Sequence, residues 1–288
     1  MFEINASIAC HKNRIWCAYR TTDLYAYDSI SFLTELDSKF EPISATRLLP
    51  ENGNTAFEDV RLFSFGEKLL AFYTYLPLSQ NGWRWIYGIG YGVVDIQSGL
   101  IREQKSLRHL SKRTQEKNWT PYEYNGTLFM ITDFEPFLRV IMIGKTTCEP
   151  KMEVFLSTKR TKGWEFGELR GGTPLIPHPD KDDGWLYGFI HSYRPNENGF
   201  NRYYYYTVVR FNHSTKDFQY YPDPLPHEED VKDNVYETLW ERSNSKTIKA
   251  IFPMGIMYHE DGVIVSFGKD DVISQMEYFS WEFILQMF

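Results

Sequence analysis

The stretch GEKLLAFYT, residues 66–74, is a turn followed by a short apolar run of strand-forming residues. The same unit recurs as KNRIWCAYR (12–20), NGTLFMITD (125–133), DGWLYGFIH (183–191) and DGVIVSFG (261–268). With Ile15, Leu69, Leu128, Leu186 and Val263 as equivalent markers, successive copies lie 54, 59, 58 and 77 residues apart. Periods of that size suit propeller blades of four short strands with their loops. The turns carry Lys-Asn, Gly-Glu, Asn-Gly and Asp-Gly, the chemistry of hairpin connections. Each unit is followed by a further run, such as WIYGIGYGVVDIQSGL or RYYYYTVVRFNHSTKDF, that alternates as a strand does rather than with the period of a helix.

The expected architecture is therefore all-β: a five-bladed β-propeller occupying residues 1–288 as a single domain. A β-sandwich is disfavoured by five comparable units. Helix is expected only at 36–40 and in the final SWEFILQMF. The long stretch PDPLPHEEDVKDNVYETLWERSNSK, between the fourth and fifth units, reads as a surface excursion within that domain.

Composition narrows the function. The chain has 288 residues, 42% hydrophobic and 24% charged, which suits a globular protein and excludes disorder. A net charge of −7 argues against nucleic acid, whose binding leans on cationic surface. The locally basic LRHLSKRTQEK (107–117) reads as a solvated loop. Aromatic residues make up 17% of the chain, enough both to fill strands and to offer stacking platforms for sugars. Cys10, Cys17 and Cys148 form no CxxC pair and fit reduced thiols of a cytoplasmic protein, with Cys10 and Cys17 in the core. No leader-like segment precedes the first strand and no apolar run approaches ~20 residues, so no membrane span is expected. His178, His213, His227 and His259 lack metal-ligand spacing, and no Gly-rich phosphate loop or other cofactor motif is present; neither metal nor cofactor is expected.

The repeat also places residues. Ten positions before four of the markers stand Asn5, Asp59, Asn118 and Pro253; in the fourth unit, with its longer turn, thirteen back is Thr173. These are expected starts of the innermost strands. Five positions after the markers stand Arg20, Thr74, Asp133, His191 and Gly268, the expected ends of the second strands. The start of one strand in an antiparallel hairpin lies beside the end of the next, and in a propeller all inner strands surround the axis. Asn5, Arg20, Asp59, Asn118, Asp133, Thr173 and His191 should therefore converge at one mouth of the central channel, a default pocket.

Several segments at these positions resemble the five-bladed propeller enzymes of glycoside hydrolase family 130, the β-mannoside phosphorylases, and the related glycosyltransferase family 108. They are NASI…IWCAYR, FEDVRLF, EKNWTPYEYNGTLF, FEPFLRV, GGTPLI…GWLYGFIHS and GVIVSFGKDD, in family order nearly from end to end. The resemblance implies inverting chemistry at an anomeric carbon, with Asp59 as the general acid or base. In the phosphorylases that proton travels through a sugar hydroxyl while phosphate attacks from the opposite face. A leaving sugar oxygen needs a proton, and an oxocarbenium-like transition state needs negative charge nearby. Burial and the like charge of Glu58 are expected to raise the Asp59 pKa; pairing with Arg61 as a structural ion pair is the other reading of Asp59.

By the same resemblance Lys117, Arg139 and His191 would bind phosphate, as cations matched to an oxyanion. Arg20 and Asp271 would bind sugar hydroxyls, together with Asn5, Glu58, Arg61, Asn118, Asp133 and Thr173 at the mouth. Trp119 and Tyr122 would either stack on a sugar face or pack in the core. Val60 stands where the family's acid motif has proline, and RGGTPLI replaces a more proline-rich segment, which leaves the co-substrate open. The partner would be a carbohydrate, with inorganic phosphate or a sugar-phosphate or nucleotide-sugar donor. The alternative is a non-catalytic propeller that binds a glycan or a protein at its mouth.

Overall fold

The computed structural model describes residues 2–22, 29–53, 57–75, 88–107, 117–145, 153–159, 163–195, 202–226, 250–269 and 273–288. They form five blades around one axis, antiparallel except where β5 pairs β9 in blade 2, a five-bladed β-propeller. Blade 1 holds β1 (Phe2–His11), β2 (Arg14–Thr22), β3 (Ser29–Leu36) and β4 (Pro42–Arg47). Blade 2 holds β5 (Leu49–Pro50), β6 (Phe57–Phe65), β7 (Lys68–Tyr75), β8 (Gly88–Asp95) and β9 (Leu100–Ser106). Blade 3 holds β10 (Thr120–Tyr124), β11 (Thr127–Asp133), β12 (Phe137–Gly144) and β13 (Glu153–Lys159). Blade 4 holds β14 (Glu168–Arg170), β15 (Ile176–Pro177), β16 (Trp185–Pro195), β17 (Arg202–Asn212) and β18 (Phe218–Tyr220). Blade 5 holds β19 (Ile251–His259), β20 (Gly262–Lys269) and β21 (Ile273–Ser280), followed by the helix α1 (Trp281–Leu285).

Both faces of an inner hairpin are buried between neighbouring blades, which is why the marker strands are apolar without a break. In β7, Leu69, Ala71 and Tyr73 pack with Trp16, Ala18 and Leu33 of blade 1. Leu70 and Phe72, on the opposite face, pack with Trp119, Leu128 and Met130 of blade 3. Further apolar layers join blade 3 to blade 4 and blade 4 to blade 5. A smaller layer of Ala6, Ile8, Cys17, Met257 and Ile264 closes blade 5 onto blade 1.

That closure joins two separate sheets and is reinforced by hydroxyls. The Ile8 amide donates to Ser266 Oγ at 3.1 Å, the Ala6 amide to Ser274 Oγ at 3.1 Å, and Ser7 Oγ to the Met254 carbonyl at 3.3 Å. Gly255 lies directly on the backbone of Ile8: a Cβ there would come within 2.5 Å of the Ile8 carbonyl oxygen.

The inner strand of blade 4 is broken. β14 and β15 both pair with β16, and Gly171–Leu175 crosses between them. Gly171 and Gly172 run so close to the backbones of Asn118 and Phe189 that neither position has room for a side chain. The Leu175 amide then donates to the Pro121 carbonyl of blade 3 at 3.0 Å.

Two expectations are corrected. Residues 36–40 are a strand end and a turn rather than a helix, because Asp37 Oδ1 accepts from the amides of Lys39 and Glu41 and satisfies them locally. The C-terminal helix does form, capped by Ser280, which accepts from the Phe283 amide. Cys10 is exposed, on the opposite face of β1 from buried Ala9 and His11, while Cys17 is buried. Most of the excursion between units four and five, Cys148 and most of the basic 107–117 stretch lie outside the described residues.

Gly255→Ala should cost at least ~2 kcal/mol through overpacking of the blade 1–blade 5 closure. Gly66→Ala, at a left-handed turn with open space around it, should cost only about 1 kcal/mol of backbone strain. Urea unfolding of the two variants checks the difference.

Candidate active site

At the expected mouth three inner strands begin in the same unusual way. Asn5, Asp59 and Asn118 have φ of 54°, 56° and 60°, a left-handed conformation rare outside glycine. Register shifts accompany it, between Ile4 and Ser7 in blade 1 and between Glu58 and Arg61 in blade 2. Asn and Asp tolerate this conformation better than other side chains, and a bulge re-aims the side chain out of strict alternation. The polar residues at strand starts thus meet one another across blades, Asn5 with Asp59 and Asn118 with Arg61.

Asp59 sits at the centre of the resulting network. Its Oδ1 accepts from Asn5 Nδ2 at 2.8 Å and lies 3.6 Å from Arg20 Nε. Beside it, Glu58 pairs with Lys117 and lies 3.9 Å from Arg20 Nη1. The Asp59 side chain keeps 17% of its exposure, so it is reachable but largely enclosed. Burial pushes its pKa up, but the charges of Arg20, Lys117 and Arg61 and the Asn5 hydrogen bond outweigh that and hold it below the ordinary carboxylate range. The expected upward shift is therefore reversed: three cations and the Asn5 hydrogen bond outweigh burial.

Arg61 is buried, at 3% exposure. Its Nε donates to the Gly172 carbonyl at 2.9 Å, its Nη2 to Asn118 Oδ1 at 2.8 Å, and its Nη1 to the backbone carbonyl of Asp59 at 3.5 Å. One guanidinium thus binds blades 2, 3 and 4. Burial lowers its pKa to about 10, still leaving it charged at neutral pH.

Next to this network a cavity of about 240 Å³ opens between blades 3 and 4, lined in part by Lys117, Asn118, Asp133, Glu135, Glu168 and Arg170. Asp133 is paired with Arg139 at 3.0 Å. Arg170, which the sequence reading did not single out, lies 4.3 Å over the Tyr193 ring and donates to its hydroxyl at 3.2 Å. The signal available for it was its position directly before the glycine pair, where the chain must enter the mouth. Lys117, Arg139 and Arg170 give this region its cations, each beside a carboxylate.

The other expected site residues are placed differently. His191 lies within β16 rather than at its end, is 1% exposed, and packs edge-on against Phe252. Burial, with the charges of Arg61 and Arg170, pulls its pKa down to about 3, so at neutral pH it brings no positive charge to an anion. Thr173 is fully buried, its hydroxyl donating to the Pro174 carbonyl and accepting from the Phe189 amide; it holds the broken inner strand together. Trp119 packs in the layer between blades 2 and 3, and Tyr122 stacks on Phe129 with its hydroxyl against His213. Both rings are core, so the stacking reading is corrected. Asp271 lies outside the described residues. Among the described residues no group of side chains is arranged to hold a metal ion, and no helix is long and apolar enough to cross a membrane.

No family model matches the chain, and no curated protein matches its sequence. Solved structures do match its fold. One, described with the GH130 mannoside phosphorylase family and its hydrolases that target β-1,2 mannosidic linkages in Candida mannan, is 13% identical, with a TM-score of 0.64 over 98% of this chain and 85% of its own. A GDP-Man-dependent mannosyltransferase from Leishmania mexicana is 14% identical, with a TM-score of 0.62 over 97% and 86%. A β-1,2-mannobiose phosphorylase from Listeria innocua is 10% identical, with a TM-score of 0.62 over 100% and 92%. At these identities the likeness is one of fold.

The state of His191 yields a stability prediction. Its folded pKa of about 3 lies below the 6.5 of the unfolded chain, so between those values only the unfolded state takes up the proton and stability falls with falling pH. At pH 5 the loss relative to neutral pH should be about 2 kcal/mol from this residue. Urea unfolding at pH 7 and pH 5 should show that share of the acid sensitivity removed in His191→Gln.

Proposed function

We propose that this single-domain propeller is a carbohydrate-active enzyme that transfers a glycosyl unit with inversion on mannoside-like substrates, with Asp59 as the acid/base. The observation that carries the reading is Asp59 itself. Its carboxyl is held in a strained left-handed position at the channel mouth, anchored through Oδ1 by Asn5 and Arg20. Strain kept at one residue and supported from several blades is typical of sites of chemistry. The likeness of fold to mannoside phosphorylases and a mannosyltransferase supports a mannoside-like substrate.

The depressed pKa assigns the resting state. An ionised Asp59 is ready to accept a proton from an acceptor hydroxyl, directly or through a neighbouring sugar hydroxyl. That oxygen then attacks the anomeric carbon as the bond to the donor's phosphate breaks on the opposite face. The proton ends on Asp59, and the donor's phosphate or nucleoside diphosphate leaves with the electron pair. In the reverse direction the protonated carboxyl returns the proton to the leaving sugar oxygen while phosphate attacks. With Oδ1 committed to Asn5, Oδ2 is the oxygen assigned to this proton. Lys117, Arg139 and Arg170, around the adjacent cavity, are the cations available to a phosphoryl group. Arg20, Asn5, Glu58 and Asp133 would orient sugar hydroxyls, and Asp271 is proposed to join them.

Incubation with mannose 1-phosphate or GDP-mannose and a panel of sugar acceptors, reading phosphate or nucleoside diphosphate release, tests this. Asp59→Asn should lower turnover about 100-fold or more. Absence of turnover with every donor, together with unaltered ligand affinity in Asp59→Asn, would overturn the enzyme reading and favour a bare glycan binder.

The pH profile offers a second check. In the synthetic direction the acid limb of kcat/KM should lie below the usual carboxylate value of about 3.9. Lys117→Met removes one of the charges that depress Asp59 while burial remains, so the limb should move upward in pH.

A further inference from the structure

A second cavity, of about 260 Å³, opens on blade 2, and nothing in the proposed acid/base chemistry uses it. Its lining includes the partly exposed ring of Tyr75, the edges of Phe57 and Tyr73, which are otherwise buried in the layer against blade 1, and the polar side chains of Gln104, Lys105 and Ser106. Tyr73 and Tyr75 are two apart on β7 and so project from the same face of the sheet. Directly across the ladder on β8 stand Gly90, opposite Tyr73, and Gly88, opposite Tyr75. A Cβ on Gly90 would lie 2.5 Å from Tyr73 Cε2, and one on Gly88 2.7 Å from Tyr75 Cε1. The two glycines therefore let the rings lie down across the sheet, where any larger residue would hold them away. Phe57 meets Tyr73 edge-on at 5.4 Å, and the Tyr75 hydroxyl is tied to Ser106 Oγ, which fixes the tilt of that ring.

We infer that this cavity is a glycan subsite that receives a neutral sugar unit of the same oligosaccharide whose reacting unit lies at Asp59. The inference rests on the carbohydrate reading of the mouth. Its chemistry is that of a pyranose, which presents an apolar C–H face to a ring and hydroxyls around its rim to amide, hydroxyl and ammonium groups. The location supports it independently of the lining. Phe57 directly precedes Glu58 and Asp59 on β6, and Tyr75 follows Thr74, the register partner of Glu58. At the rise of a strand, two residues separate Phe57 from Asp59 by ~7 Å, a step that adjoining sugar units can span. The subsite thus selects oligosaccharides over monosaccharides and sets which end of the chain is presented to the carboxylate.

The test uses the full chain on an array of neutral oligosaccharides that includes β-1,2-mannobiose, followed by titration of the best binder. Tyr75→Ala should weaken binding about tenfold, and Tyr75→Phe should keep most of it because the ring remains. Gly90→Ala, which pushes the Tyr73 ring aside, should weaken it as well. Circular dichroism and thermal unfolding verify that each variant folds. Absence of binding to any neutral oligosaccharide, or equal affinity in the unsubstituted protein, Tyr75→Ala and Gly90→Ala, overturns the subsite. Tyr75-dependent binding without turnover on any donor overturns the enzyme reading while the subsite stands, so the two failures are told apart.

Discussion

The guanidinium of Arg61 is the constraint on which the mouth depends. It is buried where three blades meet and binds one oxygen from each: the Asp59 carbonyl, the Asn118 side chain and the Gly172 carbonyl. A buried charge is tolerated only when its donors are satisfied, and a planar fork with donors in fixed directions demands that its acceptors stay in fixed places. The positions of Asp59, of Asn118 and of the glycine crossing in blade 4 are therefore set together. Blade 1 joins through Asn5 and Arg20, which hold the Asp59 carboxylate, and through Ser7, whose Oγ accepts from the Leu62 amide at 3.0 Å.

This arrangement explains how a carboxylate is kept largely enclosed yet charged. Desolvation favours the neutral form, while the surrounding cations favour the ionised one by more. It also explains the strained backbone. In ordinary strand geometry consecutive side chains at 58–61 would alternate between the two neighbouring blades. The left-handed turn at Asp59 breaks that alternation, so that Val60 and Leu62 enter the layer against blade 1 while the Asp59 carboxyl is left in the mouth. The cost of such a conformation, about 1–3 kcal/mol, is offset by the network that holds it.

Much of this was legible before folding. The five turn-and-strand units map onto the five inner hairpins, and the positions counted back from the markers in blades 1, 2 and 3 are the left-handed residues themselves. The fourth unit read less well because Gly171–Leu175 breaks its inner strand, and the glycine pair marks a close approach without naming its partners, Asn118 and Phe189. His191 occupies the equivalent sequence position to Asp133, but β16 continues past it, so one residue is buried beside Phe252 and the other lines a cavity. Trp119 could not be assigned from composition, since a ring that stacks on sugar and one that fills an interblade layer have the same chemistry.

The all-β repeat, the number of blades and the end of the channel at which the polar residues gather can be read from the chain alone. Hairpin turns, strand alternation and unit spacing are local properties, and each copy restates them. The state of those residues comes from folding: Asp59 ionised, His191 neutral, Arg61 a buried tie between blades, and Tyr73 and Tyr75 laid down over glycines. Charge state and exposure depend on distances between groups far apart in the chain, such as Arg61 and Gly172, 111 residues away. Those distances exist only once the ring of blades has closed.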